Sequence, residues 1–511
     1  MSLIPSRSDK CKGAMLGTAI GDALGWPNEP QAKNRKKTQK ENDVFVKWIR
    51  NNRTPFWYDE TIFPGEYSDD TQMTLSVARS IITNNWEMFL MEKELPFWLT
   101  YERGGGGALL RAAKWYQNNK LPLWKSNMKN EYFNAGGNGA VMRILPHVIA
   151  SANDCDVDKL MQDIVKNTLI THGHPRAFLG ALCYGYILNY LLNKETVLQY
   201  GELVNAAIEG ENLWGKSPDN FIPQEWLKTA TDYGYTFFNE WRNTKARMLG
   251  QLKFIKTSLE RGLTVNDKEV MVQLGCFDRI GGAGDVATLT AIYLASKYAN
   301  NPVLGIKVPA FSFGIDTDTI ASITGGMVGM INGVNWIPLE WSLVQDRECL
   351  THIVDLILIP GKSDDAKEKI NVSGLEEGWQ NTPIGKMKLI EINETLKLKN
   401  GTLTIKKYKS LLGQTLYLKE FKSNLFDTNT IENIPSKNNQ MNYSRAFELK
   451  YDDIKTLIYD SNFKKNITFG KVLKIINCLI EKSKSYEDIA KEFNVEISFV
   501  YTINNFIKNK K

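Results

Sequence analysis

Residues 314–319, Gly-Ile-Asp-Thr-Asp-Thr, place two carboxylates and two hydroxyls within four positions, followed by an apolar, small-residue run from Ile320 to Gly333. A second cluster, Ser68-Asp69-Asp70-Thr71, stands about 250 positions upstream and opens another helical run, Gln72 to Ile82. Either cluster alone reads as helix capping, because Ser, Thr and Asp satisfy orphan amides and suit the positive end of the helix dipole. Two of them, each with paired carboxylates and hydroxyls, read better as the halves of one oxygen-lined site for hard divalent cations.

Such a site needs elements that bring distant helix starts together. Residues 9–27 read as a tightly packed helix, with Gly13, Gly17 and Gly21 every fourth position, so that one face is bare and a neighbour can approach closely. Each glycine costs helix stability, roughly 1 kcal/mol against Ala, which close packing must offset. Residues 31–60 are polar and basic and read as a surface loop or lid; residues 72–100 read as helical. Gly104-Gly-Gly-Gly107 reads as a flexible loop before a helix. Asn134-Ala-Gly-Gly-Asn-Gly139 gathers free backbone amides suited to an anion. Helices over 158–193 are broken by Thr171-His-Gly-His-Pro175. The aromatic residues of 198–262 read as core packing. Residues 278–285 repeat the pattern of glycine turn and carboxylate, with Asp285 capping its helix and Asp22 anchoring neighbouring groups from within the glycine helix.

The 511 residues suit a large body with one or two smaller units. A hydrophobic fraction of 43% and a charged fraction of 23% are those of a soluble globular protein. No apolar run is long enough for a membrane helix, and the first ten residues lack the core of a secretory signal. The six cysteines are scattered and only four histidines exist, which argues against a disulfide framework, a zinc site or a His-rich metal centre. A cytoplasmic location is the expectation. The net charge of +6 lies entirely after residue 350, where 26 basic residues face 20 acidic ones.

The tail changes character with its charge. Alternating segments around Asn400-Gly401 predict a small β-rich unit over roughly 380–425. Residues 426–445 read as a linker. Residues from about 446 return to helix, and Ser485 to Ile507 resembles a helix-turn-helix with Asn494-Val495-Glu496 as its turn. Its second helix would offer Ser498, Tyr501, Thr502, Asn505 and Lys508 to a nucleic-acid groove. The acidic residues Glu487, Asp488, Glu492 and Glu496 weigh toward the other reading, a helical hairpin that packs on the body or on a protein partner.

An ordered set of motifs over residues about 10–345 resembles the ADP-ribosylglycohydrolase family. The set is Gly17-Thr-Ala-Ile-Gly-Asp-Ala-Leu-Gly25, Tyr67-Ser-Asp-Asp-Thr71, Gly136-Gly-Asn-Gly139 with Met142-Arg143, Thr171-His172 and Gly314-Ile-Asp-Thr-Asp-Thr-Ile-Ala321. The resemblance implies a mainly α fold: an all-helical catalytic body (1–350), here extended by a β-rich unit with linker (351–445) and a helical, helix-turn-helix-like unit (446–511). It implies two magnesium ions, with manganese as the alternative, ions of this kind standing roughly 3.5–4 Å apart. By the resemblance Ser68, Asp69 and Asp70 hold one side of the metal pair and Asp316, Asp318 and Thr319 the other. Glu29 corresponds to an acidic residue that reaches the metals from the first loop. Gly137, Asn138 and Gly139 line the pyrophosphate and distal ribose, and His172 contacts substrate. Glu29, Asp69 and Asp70 are the catalytic candidates, since hydrolysis at a ribosyl carbon calls for a carboxylate to activate water or protonate the departing group.

The function expected is hydrolytic release of ADP-ribose from a modified protein, nucleic acid or small acceptor. Two alternatives stand beside it. One is a catalytically silent ADP-ribose sensor with a nucleic-acid-binding tail. The other is a two-metal hydrolase of a different nucleotide-like substrate.

Overall fold

The computed structural model describes residues 4–30, 32–33, 44–52, 58–83, 85–154, 156–359, 378–398, 401–423, 485–493 and 495–510, with the single positions 475 and 479. The chain forms two compact units. The first comprises Met1–Trp336, Val344–Thr395 and Thr404–Glu420; the second comprises Ile337–Leu343, Leu396–Leu403 and Phe421–Lys511. Residues Val344–Thr395, which span the compositional change near residue 350, fall within the first unit.

The first unit is mainly helical, as the sequence leads one to expect. It is built on α1 (Arg7–Gly25), capped by Ser6, whose hydroxyl accepts the Asp9 amide at 3.2 Å. The described residues within 31–60 depart from the loop reading. They contain β1 (Ala32–Lys33), β2 (Trp48–Asn52) and β3 (Tyr58–Ile62), an antiparallel sheet in the order β1-β2-β3 with Arg50 opposite Glu60. The alternation that marks a strand was hidden because its inward positions are polar. Trp48, Arg50 and Asn52 point inward on β2, and Tyr58, Glu60 and Ile62 on β3, with Arg50 paired to Glu60 at 3.3 Å. Trp26 packs edge-on against Trp48 at 5.0 Å and, with Ile62, ties this sheet to the end of α1.

Next come α2 (Asp69–Ile81), α3 (Gly107–Asn118), α4 (Val157–Leu169), α5 (Pro175–Asn193), α6 (Phe237–Glu260), α7 (Gly284–Lys297) and α8 (Thr317–Asn332). The helix expected over 72–100 is interrupted after Ile81 and resumes in short pieces from Trp86 to Trp98. Of the aromatic residues of 198–262, Trp214, Trp226, Phe237 and Trp241 are core, while Tyr200, Tyr233 and Phe238 are exposed; Trp226 packs edge-on against Phe133 at 5.2 Å and Phe237 at 4.9 Å.

The bare face of α1 meets α8, antiparallel to it. A Cβ placed on Gly17 would lie 2.1 Å from the Gly325 carbonyl oxygen, one on Gly21 2.1 Å from that of Ala321, and one on Gly25 2.3 Å from that of Thr317. The partner surface is equally bare, since a Cβ on Gly329 would lie 2.1 Å from the Gly13 carbonyl. Backbone rests on backbone, and only glycine permits it. This contact fixes the start of α8 beside the end of α1.

After helix α9 (Arg347–Leu358) come β4 (Trp379–Thr382), β5 (Gly385–Leu398), β6 (Gly401–Ser410) and β7 (Thr415–Ser423), a sheet in the order β4-β5-β6-β7. The β-rich stretch is thus as expected, although residues 399–400, half of the Asn400-Gly401 turn, lie outside the described residues, as does the 426–445 linker. In the second unit α10 (Tyr486–Glu492) and α11 (Ile497–Lys510) form a helical pair, with Ile489, Val500 and Ile503 buried and Tyr486 edge-on to Tyr501 at 4.9 Å. Asn494, in the expected turn, is not among the described residues. No described helix is long and apolar enough to cross a membrane.

Candidate active site

The two acidic helix starts open onto one cleft of about 260 Å³. Its lining includes Glu29, Asp69, Asp70, Gly137, Asn138, Gly139, His172, Asp316, Asp318 and Thr319. The Thr319 hydroxyl donates to Asp70 Oδ2 at 3.2 Å, joining α8 to α2 across 249 positions. Oxygens of Glu29, Asp316 and Asp318 lie within 4.8 Å of one another.

Capping of the two helices falls largely to residues other than these aspartates. On α2 the Ser68 hydroxyl accepts the Asp70 amide at 3.3 Å. On α8 Glu29 Oε1 accepts both the Thr317 amide and the Thr317 hydroxyl at 2.8 Å, while Asp316 makes no capping bond to its own helix. Asp316 Oδ2 instead accepts the Asn138 side-chain amide at 2.9 Å. Asp318 Oδ1 accepts the Thr319 amide at 2.8 Å. Carboxylate oxygens are thereby left for the cleft. Ser68 is fully buried and does not line it.

Asp22, buried inside α1, holds the upstream cluster. Its Oδ1 accepts the Ser68 amide at 2.9 Å; its Oδ2 accepts the Thr71 amide at 3.0 Å and the Thr71 hydroxyl at 2.6 Å. The glycine turns of 134–139 and 278–285 pair with each other: the Asn138 amide donates to Gly282 at 3.0 Å and that of Gly284 to Gly136 at 3.0 Å. Asp285 lies apart from the cleft, accepting from the Arg176 Nε at 3.0 Å and from the Val286 amide at 3.0 Å.

His172 is buried, with its Nδ1 2.7 Å from the Thr171 hydroxyl, and that hydroxyl accepts from Arg143 at 2.9 Å. Burial first, and the positive charges of Arg143 and Arg111 second, push its pKa down to about 3, so the ring is neutral.

The carboxylates are in the opposite condition. Asp69, Asp70 and Asp318 are all raised well above the ordinary carboxylate range, first by burial and then by the negative charges around them. Buried Asp70 Oδ1 has no hydrogen-bond partner among the described residues. Enclosed, mutually repelling carboxylates with an unpartnered oxygen are stabilised by cations, and an all-oxygen donor set suits magnesium or manganese rather than a softer metal.

The sequence motifs did not point to Trp26, Gly282 or the wall formed by Gly104, Gly106, Gly107, Ala108 and Leu109. The glycine run was visible as a loop before a helix. That it borders the acidic cleft was not.

A helical body with an acidic, oxygen-lined cleft is the class that fold and site define. The ADP-ribosylglycohydrolase profile matches residues 4–366, and the chain belongs to that family. It is 28% identical over 202 residues to the ADP-ribosylarginine hydrolase Tri1 of Serratia proteamaculans (strain 568), covering 37% of this chain and 50% of that protein. It is 26% identical over 196 residues to the ADP-ribosyl-[dinitrogen reductase] glycohydrolase of Rhodospirillum rubrum, covering 37% of this chain and 60% of that protein. A longer match, 24% over 355 residues, is to ADP-ribosylhydrolase ARH3 of Xenopus tropicalis, covering 65% and 89%. Among solved structures, an ADP-ribosylglycohydrolase-related protein complex aligns with a TM-score of 0.43 at 19% identity, covering 69% of this chain and 98% of that one.

Proposed function

We propose that this chain hydrolyses the glycosidic bond between the distal ribose of ADP-ribose and a modified acceptor, with two divalent cations, magnesium or manganese, as cofactor. One observation carries the reading: acidic helix starts about 250 positions apart open onto a single cleft, linked by the Thr319–Asp70 bond. Asp69, Asp70, Asp316, Asp318 and Thr319 would hold the ions, with Glu29 beside Asp316 and Asp318 and Ser68 setting the turn from behind. Bound there, the ions would supply Lewis acidity toward the ribose hydroxyls and the attacking water.

The remaining work belongs to side chains of the protein. Gly137 and Gly139 bring backbone close to the pyrophosphate, and Asn138, fixed by Asp316, positions the ribose. Because the Thr171 hydroxyl already accepts from Arg143, it directs its proton to His172 Nδ1 and leaves the Nε2–H facing the ligand. Asp69, Asp70 and Glu29 divide the roles of taking a proton from water and giving one to the leaving group. An arginine acceptor is the first choice, because the Serratia relative is named for ADP-ribosylarginine.

The test is ADP-ribose release, with added magnesium or manganese, from ADP-ribosylated arginine peptide, serine peptide and DNA. Turnover of at least one, abolished in Asp69→Ala and Asp316→Ala, is the expected outcome. No release from any acceptor, with ADP-ribose still bound, would favour the silent-sensor reading instead.

A further inference from the structure

Four consecutive glycines, 104–107, run along the cleft wall, and Gly104, Gly106 and Gly107 line it. Gly104 has φ +107° and sits so close to Asp69 that a Cβ there would lie 2.8 Å from Asp69 Oδ1. A run without side chains loses much backbone freedom on ordering and offers nothing of its own to anchor it. Its fixity must come from its flank, residues 100–103.

That flank is held by β7, which lies beyond the stretch matched by the family profile. The Lys419 amide donates to the Thr100 carbonyl at 2.8 Å. The Lys419 ammonium donates to the Glu102 carbonyl and stands 3.8 Å from Glu102 Oε1, with the Lys419 side chain only 10% exposed. Glu102 Oε2 in turn accepts the amides of Gly104 and Gly105, each at 3.2 Å. Two positions back, on the same face of the strand, the Tyr417 ring lies 3.8 Å from the Arg103 guanidinium, and the Tyr417 hydroxyl donates to Glu66 Oε1. Arg103 is clasped by Glu60 at 2.7 Å and Glu66 at 2.9 Å. Side chains of one strand thus grip both residues that lead into the glycine run.

We infer that strand β7 is a buttress of the active-site wall, with Lys419 and Tyr417 as positioning residues that set the 102–107 loop against bound ADP-ribose. The ligand named here rests on the proposed function; the buttress itself does not. Neither side chain lines the cleft. Both act through Glu102 and Arg103.

The experiment uses the full chain and four variants: Lys419→Met, Lys419→Arg, Tyr417→Phe and, as control, Lys406→Met, which loses only a part-exposed pair with Glu420. Hydrogen exchange of the 100–107 amides, calorimetric ADP-ribose binding and steady-state kinetics are compared. In Lys419→Met, exchange at 102–107 should accelerate roughly tenfold, and the ADP-ribose Kd and the KM should rise by a similar factor, with kcat within about twofold of wild type. Lys419→Arg should recover most of the loss, and Lys406→Met should match wild type. If Lys419→Met does not fold, the same exchange measurement on Tyr417→Phe decides. Unchanged exchange at 102–107 in the folded variants overturns the buttress. Wild-type protein that binds no ADP-ribose would overturn the proposed function, while the exchange result would still judge the strand.

Discussion

Asp22 never reaches the cleft, yet three donors converge on it: two amides and a hydroxyl of the Ser68–Thr71 turn. An amide in its place would keep one acceptor and turn the other toward donors. Outer contacts of this kind typically govern metal affinity and turnover by about 10–100-fold. Asp22→Asn should therefore weaken magnesium binding and lower kcat/KM within that range, although it touches neither metal nor substrate. Calorimetric titration of magnesium alongside turnover checks this, and wild-type values for both would mean that the turn holds its own shape. The residue types of the site were legible in the chain. The division of labour among them was not: Glu29 caps α8 and Asn138 restrains Asp316, bonds made between segments far apart in sequence.

At the scale of elements, the α1–α8 contact decides whether there is a site. A Cβ on Gly21 meets the Ala321 carbonyl at 2.1 Å, whereas one on Gly250, in the middle of α6, meets nothing within 4 Å. Gly21→Ala must push the helices apart, costing about 1–3 kcal/mol or more as overpacking does, and must move Thr317–Thr319 away from Asp70. Gly250→Ala should instead stabilise by up to about 1 kcal/mol through helix propensity. Chemical denaturation gives the two signs, and turnover should fall only in the first variant. The spacing of Gly13, Gly17 and Gly21 announced a bare face, but not which helix would lie on it. The β2–β3 hairpin escaped notice because Arg50, Asn52 and Glu60 occupy inward positions where periodicity rules expect apolar residues. Such polarity is tolerable inside only because partners such as Arg103 arrive from another part of the chain.

For the molecule as a whole, three histidines make a contribution to stability that acid removes. Burial first and neighbouring arginines second press His147 and His172 down to about 3 and His174 to about 4. The unfolded chain takes up these protons near pH 6.5, and the folded chain refuses them until well below that. The histidines' contribution to stability is thus lost as pH falls through 6.5 toward 4, in the direction that linkage requires when the unfolded state binds more protons, while the raised carboxyls of Asp69, Asp70 and Asp318 contribute with the opposite sign. His147→Gln should begin at a deficit near pH 8. That gap should narrow by roughly 1.4 kcal/mol per pH unit between about pH 6 and 4, since the variant has one fewer proton to gain on unfolding. Unfolding free energies of both proteins across that range provide the check, and a constant gap would mean that His147 is protonated in the folded state.

Two acidic helix starts, a glycine-faced helix, two glycine turns and a strand-rich tail are properties of short stretches, set by local steric and hydrogen-bonding preferences. They could be read without knowing where the chain goes, and together they indicated a helical hydrolase of this family. Tertiary structure decided what those preferences cannot encode: that Asp70 and Thr319 lie side by side, that Asp285 belongs to an arginine cluster, and that a strand near residue 420 steadies a loop near residue 103. Each is a contact across more than a hundred residues. The packing of bare backbone on bare backbone and the pairing of buried charges select such contacts, and no single segment carries that information.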